Sequence, residues 1–232
     1  MAAEKSILVT GGTGALGGAV VEAAIAAGHS IAVVYIVPAE WEALRGRIGD
    51  TDQLLGLEGD VLSAGFMSNA VQKTVESFGR LDALIHLVGG YRYAPLEETP
   101  PDLWNRIINL NLTSAYTAAH AALPALSERG GSMTFVGAQA AITAPPGQVA
   151  YNAAKAGVLS LVQTLAHELR PKGIRVNSIV PDIIDTPANR ASMPKSNPDR
   201  WLQPSQVADT LMYLVSDDAS GVTGAAVTLQ RT

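Results

Sequence analysis

With 232 residues, 47% of them hydrophobic and 16% charged, the chain has the composition of one folded unit with a substantial core, and residues 1–232 read as a single domain. A formal net charge of −5 without any long Lys/Arg cluster excludes the concentrated positive charge that nucleic acid demands, so a small molecule is the expected partner. The absence of cysteine excludes disulfides, thiolate metal sites and cysteine nucleophiles; with only a short apolar run after Glu4 and Lys5, a soluble cytoplasmic protein with no membrane span is expected.

Strand-length apolar runs alternate with longer stretches of helical period. In chain order these are SILV (6–9), a helix over AVVEAAIAAG (19–28), IAVVYIV (31–37), a helix over 63–79, DALIHLV (82–88) and a helix over 102–127. SMTFV (132–136), a helix over 149–170, IRVNSIV (174–180), a helix over 204–216 and AAVTL (225–229) follow. Only 38–60 resists assignment. Repeated strand-helix-strand units predict a doubly wound α/β fold with a buried parallel sheet and helices on both faces. The Pro-rich stretch 181–198 is the one long loop candidate, and loops of that length in a compact domain are often functional, commonly as lids over a site.

Residues 10–17 read TGGTGALG, after a predicted strand and at the start of a predicted helix. Glycines in that context allow a left-handed turn and let backbone N–H groups approach a pyrophosphate at the helix N-terminus. The spacing is unusual, because Gly11, Gly14 and Gly17 stand three apart and Ala15 occupies the place of the middle glycine. Thr13, Ala15 and Leu16 complete the turn as candidate cofactor contacts. An acid at the end of the second strand ordinarily hydrogen-bonds the adenosine ribose of NAD. Here Tyr35 stands in that region and the first acid is Glu40, while Arg45 and Arg47 lie well downstream; both NADH and NADPH stay open, with an inclination toward NADP.

YNAAK (151–155) falls within a run of helical period, so Tyr151 and Lys155 share one helix face. A lysine cation beside a phenol favours its ionised form and lowers its pKa, and such a pair can pass a proton while a cofactor passes hydride. Alone, a Tyr and a Lys four apart mean little. In company they mean more: the glycine turn, Asp60-Val61, NLNL (109–112), YNAAK and IRVNSIVPDIIDTP (174–187), in this order, resemble the short-chain dehydrogenase/reductase family across nearly the whole chain.

That resemblance implies a Rossmann-type sheet of about seven parallel strands, a nicotinamide cofactor and an Asn-Ser-Tyr-Lys catalytic set. Tyr151 matches the proton donor, Lys155 the residue that holds the nicotinamide ribose, and Asn111 the anchor of a proton-relay water. Asp60 and Val61 would flank the adenine, and Val88, Gly89 and Gly90 the adenosine ribose region. Pro181, Ile184 and Thr186 would lie by the nicotinamide. The resemblance also implies a homodimer or homotetramer, built through the small-residue faces of the helices over 102–127 and 149–170.

The pattern breaks where the catalytic serine belongs, for that position is Ala138 in FVGAQAA (135–141), with Gln139 as the nearest substitute. HLVG (86–89) also replaces the expected NNAG, and His86, inside an apolar run, reads as a satisfied strand residue rather than a base. These departures are similar to those of dihydropteridine reductases, a serine-free branch. A conjugated imine or quinonoid pterin-like ring spreads the incoming charge, so a dedicated hydrogen-bond donor matters less. Tyr91, Tyr93 and Trp104 are then available to stack on a flat ring. The expected activity is NAD(P)H-dependent reduction of such a ring or of a carbonyl; the alternative is a binding protein that kept the fold and lost turnover. No metal is expected.

Overall fold

Side chains on the central strands alternate between two apolar layers. In β1 (Ser6–Thr10), Leu8 packs into one layer while Ile7 and Val9 pack into the other, and all three are fully buried. Burial on both faces is what turns a parallel strand into an unbroken apolar run in sequence. In the computed structural model, which describes residues 4–231, seven strands form one sheet in the order β3-β2-β1-β4-β5-β6-β7, every neighbouring pair parallel. The remaining strands are β2 (Ser30–Tyr35), β3 (Leu54–Glu58), β4 (Ala83–His86), β5 (Gly131–Val136), β6 (Ile174–Pro181) and β7 (Ala226–Leu229).

Helices cover both faces. On one, α1 (Ala15–Ala26) and α2 (Pro38–Ile48) pack with α9 (Pro204–Val215). On the other lie α3 (Ala64–Phe78), α5 (Ser114–Ser127) and α7 (Val149–Leu169), with the single-turn α6 (Ala140–Thr143) preceding α7. Ser63 caps α3 by accepting the Phe66 N–H, and Gly79, at φ 78°, ends it in the left-handed conformation that glycine tolerates. The chain thus forms a three-layer α/β fold whose strand order reverses beside β1. In such sheets the crevice at the carboxyl ends of the strands, where the order reverses, is the ligand site.

Two expectations change. The unassigned 38–60 stretch holds α2 and the edge strand β3. The helix expected over 102–127 is present and continuous, but it widens between α4 (Pro101–Ile108) and α5 into a π-helical turn at Asn109–Thr113. Such turns insert one residue into the helical ladder and frequently mark functional positions. The long 181–198 segment also has structure of its own, α8 (Pro187–Ser192), capped by Thr186 and braced by the Asp185–Arg190 ion pair at 2.6 Å. No helix among the described residues is long and apolar enough to cross a membrane.

Candidate active site

The glycine turn leaves β1 directly beneath the crevice, and the three of its four glycines that stand three apart serve different ends. Gly11 has φ 72°, and a Cβ there would meet Val88 at 3.1 Å. At Gly17 a Cβ would lie 2.3 Å from the Gly11 carbonyl oxygen, so this glycine allows α1 to pack on the turn. Gly14 is different. Its nearest neighbour for an added Cβ is 3.6 Å away, and it caps a helix that no side chain caps and whose first turn holds no acid. Open space in front of uncapped helix N–H groups suits a pyrophosphate. Ala15, the unusual residue, is exposed, so its methyl does not disturb the turn; Leu16 instead packs toward the core and Gly17 is buried.

Beside the turn lies a cavity of about 310 Å³. Thr13, Tyr35, Asp60, Val61, Val88 and Gly89 reach its wall as the sequence suggests, together with Val37, Glu40 and Leu110, which sequence reasoning missed. The Asp60 carboxylate also accepts the Leu62 N–H at 2.9 Å, so it is a turn residue as well as a wall residue. The cavity is mostly apolar and shaped by strand ends, in keeping with an adenosine moiety. These features fit the nicotinamide dinucleotide that the sequence implies.

A second cavity, of about 860 Å³, opens over β5 and β6. Tyr151 and Lys155 stand in its wall, one turn apart on α7, with Ala138, Gln139, Tyr91, Tyr93, Pro181 and Ile184 around them. Asn189 and Met193 close it from α8 and the segment after it, a contribution from the long loop that no single residue in the sequence signalled. Tyr91 meets Tyr151 edge to face with centroids 5.1 Å apart. Trp104, Gly90 and Thr186 do not reach either cavity: Thr186 is occupied in capping α8, and Gly90 is held from behind by Asn111.

The Lys155 ammonium is buried and donates to the Val136 carbonyl at 2.8 Å, and burial lowers its pKa to about 8. Tyr151 departs from expectation. Burial, with a smaller contribution from Tyr91, pushes its hydroxyl up to about 12, because Lys155 sits 5.9 Å from the ring centroid and does not offset the loss of water. The phenol is therefore held in its protonated form at neutral pH, which is the form a proton donor needs.

Asn111 projects from the π-helical turn. It accepts the Gly90 N–H at 3.1 Å and donates to the Gly90 and Ile107 carbonyls at 2.9 and 3.0 Å. Its amide ties the loop after β4 to the π-helical turn. A Cβ on Gly89 would fall 2.8 Å from Asn111 Oδ1 and 3.2 Å from Lys155 Nζ, so only a glycine lets this loop pass between the two side chains. His86 is fully enclosed. Its ring nitrogens meet Thr10 Oγ1 at 2.8 Å and Ser114 Oγ at 3.2 Å, and burial, with the nearby Lys155 charge, lowers its pKa to about 3. It is the satisfied, neutral strand residue that its apolar setting implies.

Residues 12–230 match the family model described as enoyl-(acyl carrier protein) reductase. Over 179 residues the chain is 40% identical to cis-1,2-dihydrobenzene-1,2-diol dehydrogenase of Pseudomonas putida, covering 75% of this chain and 64% of that protein. Among solved structures, a short chain dehydrogenase from Bacillus anthracis superposes with a TM-score of 0.88 at 29% identity, over 97% of this chain and 95% of that one. The 3-ketoacyl-(acyl-carrier-protein) reductase of Brucella melitensis, solved with NADH, gives 0.87 at 27% identity over 97% and 96%. With its reversed-order sheet, glycine turn and paired Tyr and Lys at the strand ends, the chain belongs to the short-chain dehydrogenase/reductase family of NAD(P)-dependent oxidoreductases.

Proposed function

We propose that this enzyme exchanges hydride between a nicotinamide cofactor and a conjugated carbonyl or imine carried on a flat ring, with Tyr151 supplying the proton. The observation that carries this reading is the setting of Tyr151: a phenol held protonated in the wall of a roomy cavity, flanked by exposed Tyr91 and Tyr93 and by Ala138 in place of a hydroxyl donor. A reduced nicotinamide, when bound, supplies the hydride. The first N–H groups of α1, at Ala15, Leu16 and Gly17, are offered to its phosphates, while the Gly11 and Gly14 N–H groups are taken by the Val34 and Gly11 carbonyls and Gly14 leaves the approach open; Lys155 stands where it can hold the adjoining ribose.

In the reductive direction the substrate carbon gains the hydride and the carbonyl oxygen or imine nitrogen gains the Tyr151 proton. The phenolate left behind recovers a proton from solvent. Ala138 gives no hydrogen bond to the charge developing on the substrate. A conjugated ring disperses that charge itself, whereas an isolated ketone does not. The relative from Pseudomonas putida is named for a ring diol, so oxidation of a cyclic dihydrodiol is the same chemistry read backwards.

The test follows NADH and NADPH oxidation with a quinonoid dihydropterin, conjugated ring ketones and isolated ketones, and reduction of the oxidised cofactors with ring diols, for the native chain, Tyr151→Phe and Ala138→Ser. Conjugated rings should turn over, Tyr151→Phe should lose about 100-fold or more while still binding cofactor, and Ala138→Ser should gain chiefly on isolated ketones. Full activity in Tyr151→Phe would remove the proposed proton donor. Cofactor binding without turnover of any substrate would favour the non-catalytic alternative.

A further inference from the structure

The adenosine end of the crevice carries charge of a single sign. Glu40, in the first turn of α2, is hydrogen-bonded through Oε2 to the Thr13 hydroxyl at 2.9 Å. That bond draws its carboxylate against the glycine turn, into the wall of the adenosine cavity. Tyr35, which occupies the end of β2, is stacked flat on Trp41 with centroids 5.1 Å apart and planes 7° from parallel, so its ring is committed to α2. Gly14 offers no side chain. Among the described residues no Lys or Arg lines this cavity, and Asp60 on its other wall adds a second acid.

The nearest cations along α2 are engaged elsewhere. Arg45 pairs with Asp50 at 3.3 Å, and Arg47 pairs with Glu22 at 2.9 Å while lying over Gly18. Neither is in the cavity wall. A 2′-phosphate on the adenosine ribose would thus arrive with close to two negative charges, meet a carboxylate and find no counter-charge. A free ribose hydroxyl would instead find an acceptor, since only one Glu40 oxygen is used by Thr13.

Taking the cofactor reading of the previous section as its basis, we infer that the adenosine end selects NAD(H) over NADP(H), and that Glu40 is the residue that discriminates. This reverses the inclination toward NADP drawn from the missing acid at the end of β2. The acid is present, supplied five residues later by a helix that folds back over the turn.

The experiment is a fluorescence titration of the protein with NADH and NADPH at low salt, without substrate, for the native chain, Glu40→Gln and Glu40→Arg. The native chain should bind NADH about tenfold or more tightly than NADPH. Glu40→Gln keeps an oxygen for Thr13 but removes the charge, and should narrow the ratio several-fold, mainly by tightening NADPH. Glu40→Arg should invert it. Equal or tighter NADPH binding by the native chain, or an unchanged ratio in Glu40→Gln, would overturn the assignment while leaving the cofactor reading intact. Failure of both nucleotides to bind would overturn both.

Discussion

Replacing Lys155 with methionine should flatten a pH dependence of stability that the native chain shows between pH 8 and 10. The ammonium is 4% exposed and has a backbone carbonyl, not a carboxylate, for a partner. Its folded pKa of about 8 lies below the ordinary 10.5, so the unfolded chain holds this proton more tightly. Below pH 8 the lysine is charged in both states and its burial penalty is fully present; as the pH rises through 8 toward 10.5 only the unfolded chain keeps the charge, and stability rises. The full shift corresponds to about 3 kcal/mol at 1.36 kcal/mol per unit, of which about 2 kcal/mol appears between pH 8 and 10. Above pH 10 Tyr151 works the other way, since a hydroxyl pushed up to about 12 keeps a proton that the unfolded chain releases. Urea unfolding of native and Lys155→Met protein at pH 8, 9 and 10 reads the effect directly, because other groups titrate alike in both. The difference between the two should shift by about 2 kcal/mol in favour of the native chain across that range. A difference that stays constant would show that Lys155 is solvated in the folded state and refute the burial argument.

The glycine turn makes a paired prediction. Gly17→Ala forces a methyl to within 2.3 Å of backbone that cannot yield, and should lower stability by about 2–3 kcal/mol in thermal or urea unfolding. Gly14→Ala, at φ −65° with no close neighbour, should leave stability within about 1 kcal/mol yet weaken nicotinamide dinucleotide binding by about tenfold or more in the titration described above. Equal destabilisation by both would mean that Gly14 is structural. Asn111→Ala strips three hydrogen bonds and leaves Gly90 and Ile107 without that partner, so unfolding should show a loss of about 2–3 kcal/mol, and hydrogen exchange should quicken at Gly90.

What the sequence disclosed follows from how strongly each segment is constrained. Central strands buried on both faces can only be apolar, and they were readable almost to the residue. The edge of the sheet is under no such demand: β3 (LLGLE) is mostly half-buried and α2 buries only Trp41 and Leu44, so neither carries a clear period. The π-helical turn is invisible for a different reason. Its side chains keep the helical pattern on either side, and only the three-dimensional need to reach Gly90 explains why the ladder opens at Asn111. The same distinction governs the site. Tyr151 and Lys155 lie on one helix, where spacing alone puts them on a common face, but their titration depends on how much water the surrounding elements exclude. Spacing suggested a lowered phenol; burial raises it. Glu40 stands five residues beyond Tyr35, where a count along an extended strand places the acid. Pro38 at the start of α2 was the available signal. Proline favours the first turn of a helix and a glutamate close behind it is favoured by the helix dipole, so a helix starting there turns its first acid back toward the neighbouring glycine turn instead of carrying it away. Distances counted along a chain hold only while the chain keeps one direction, and the choice between two cofactors rests on the point at which this one bends.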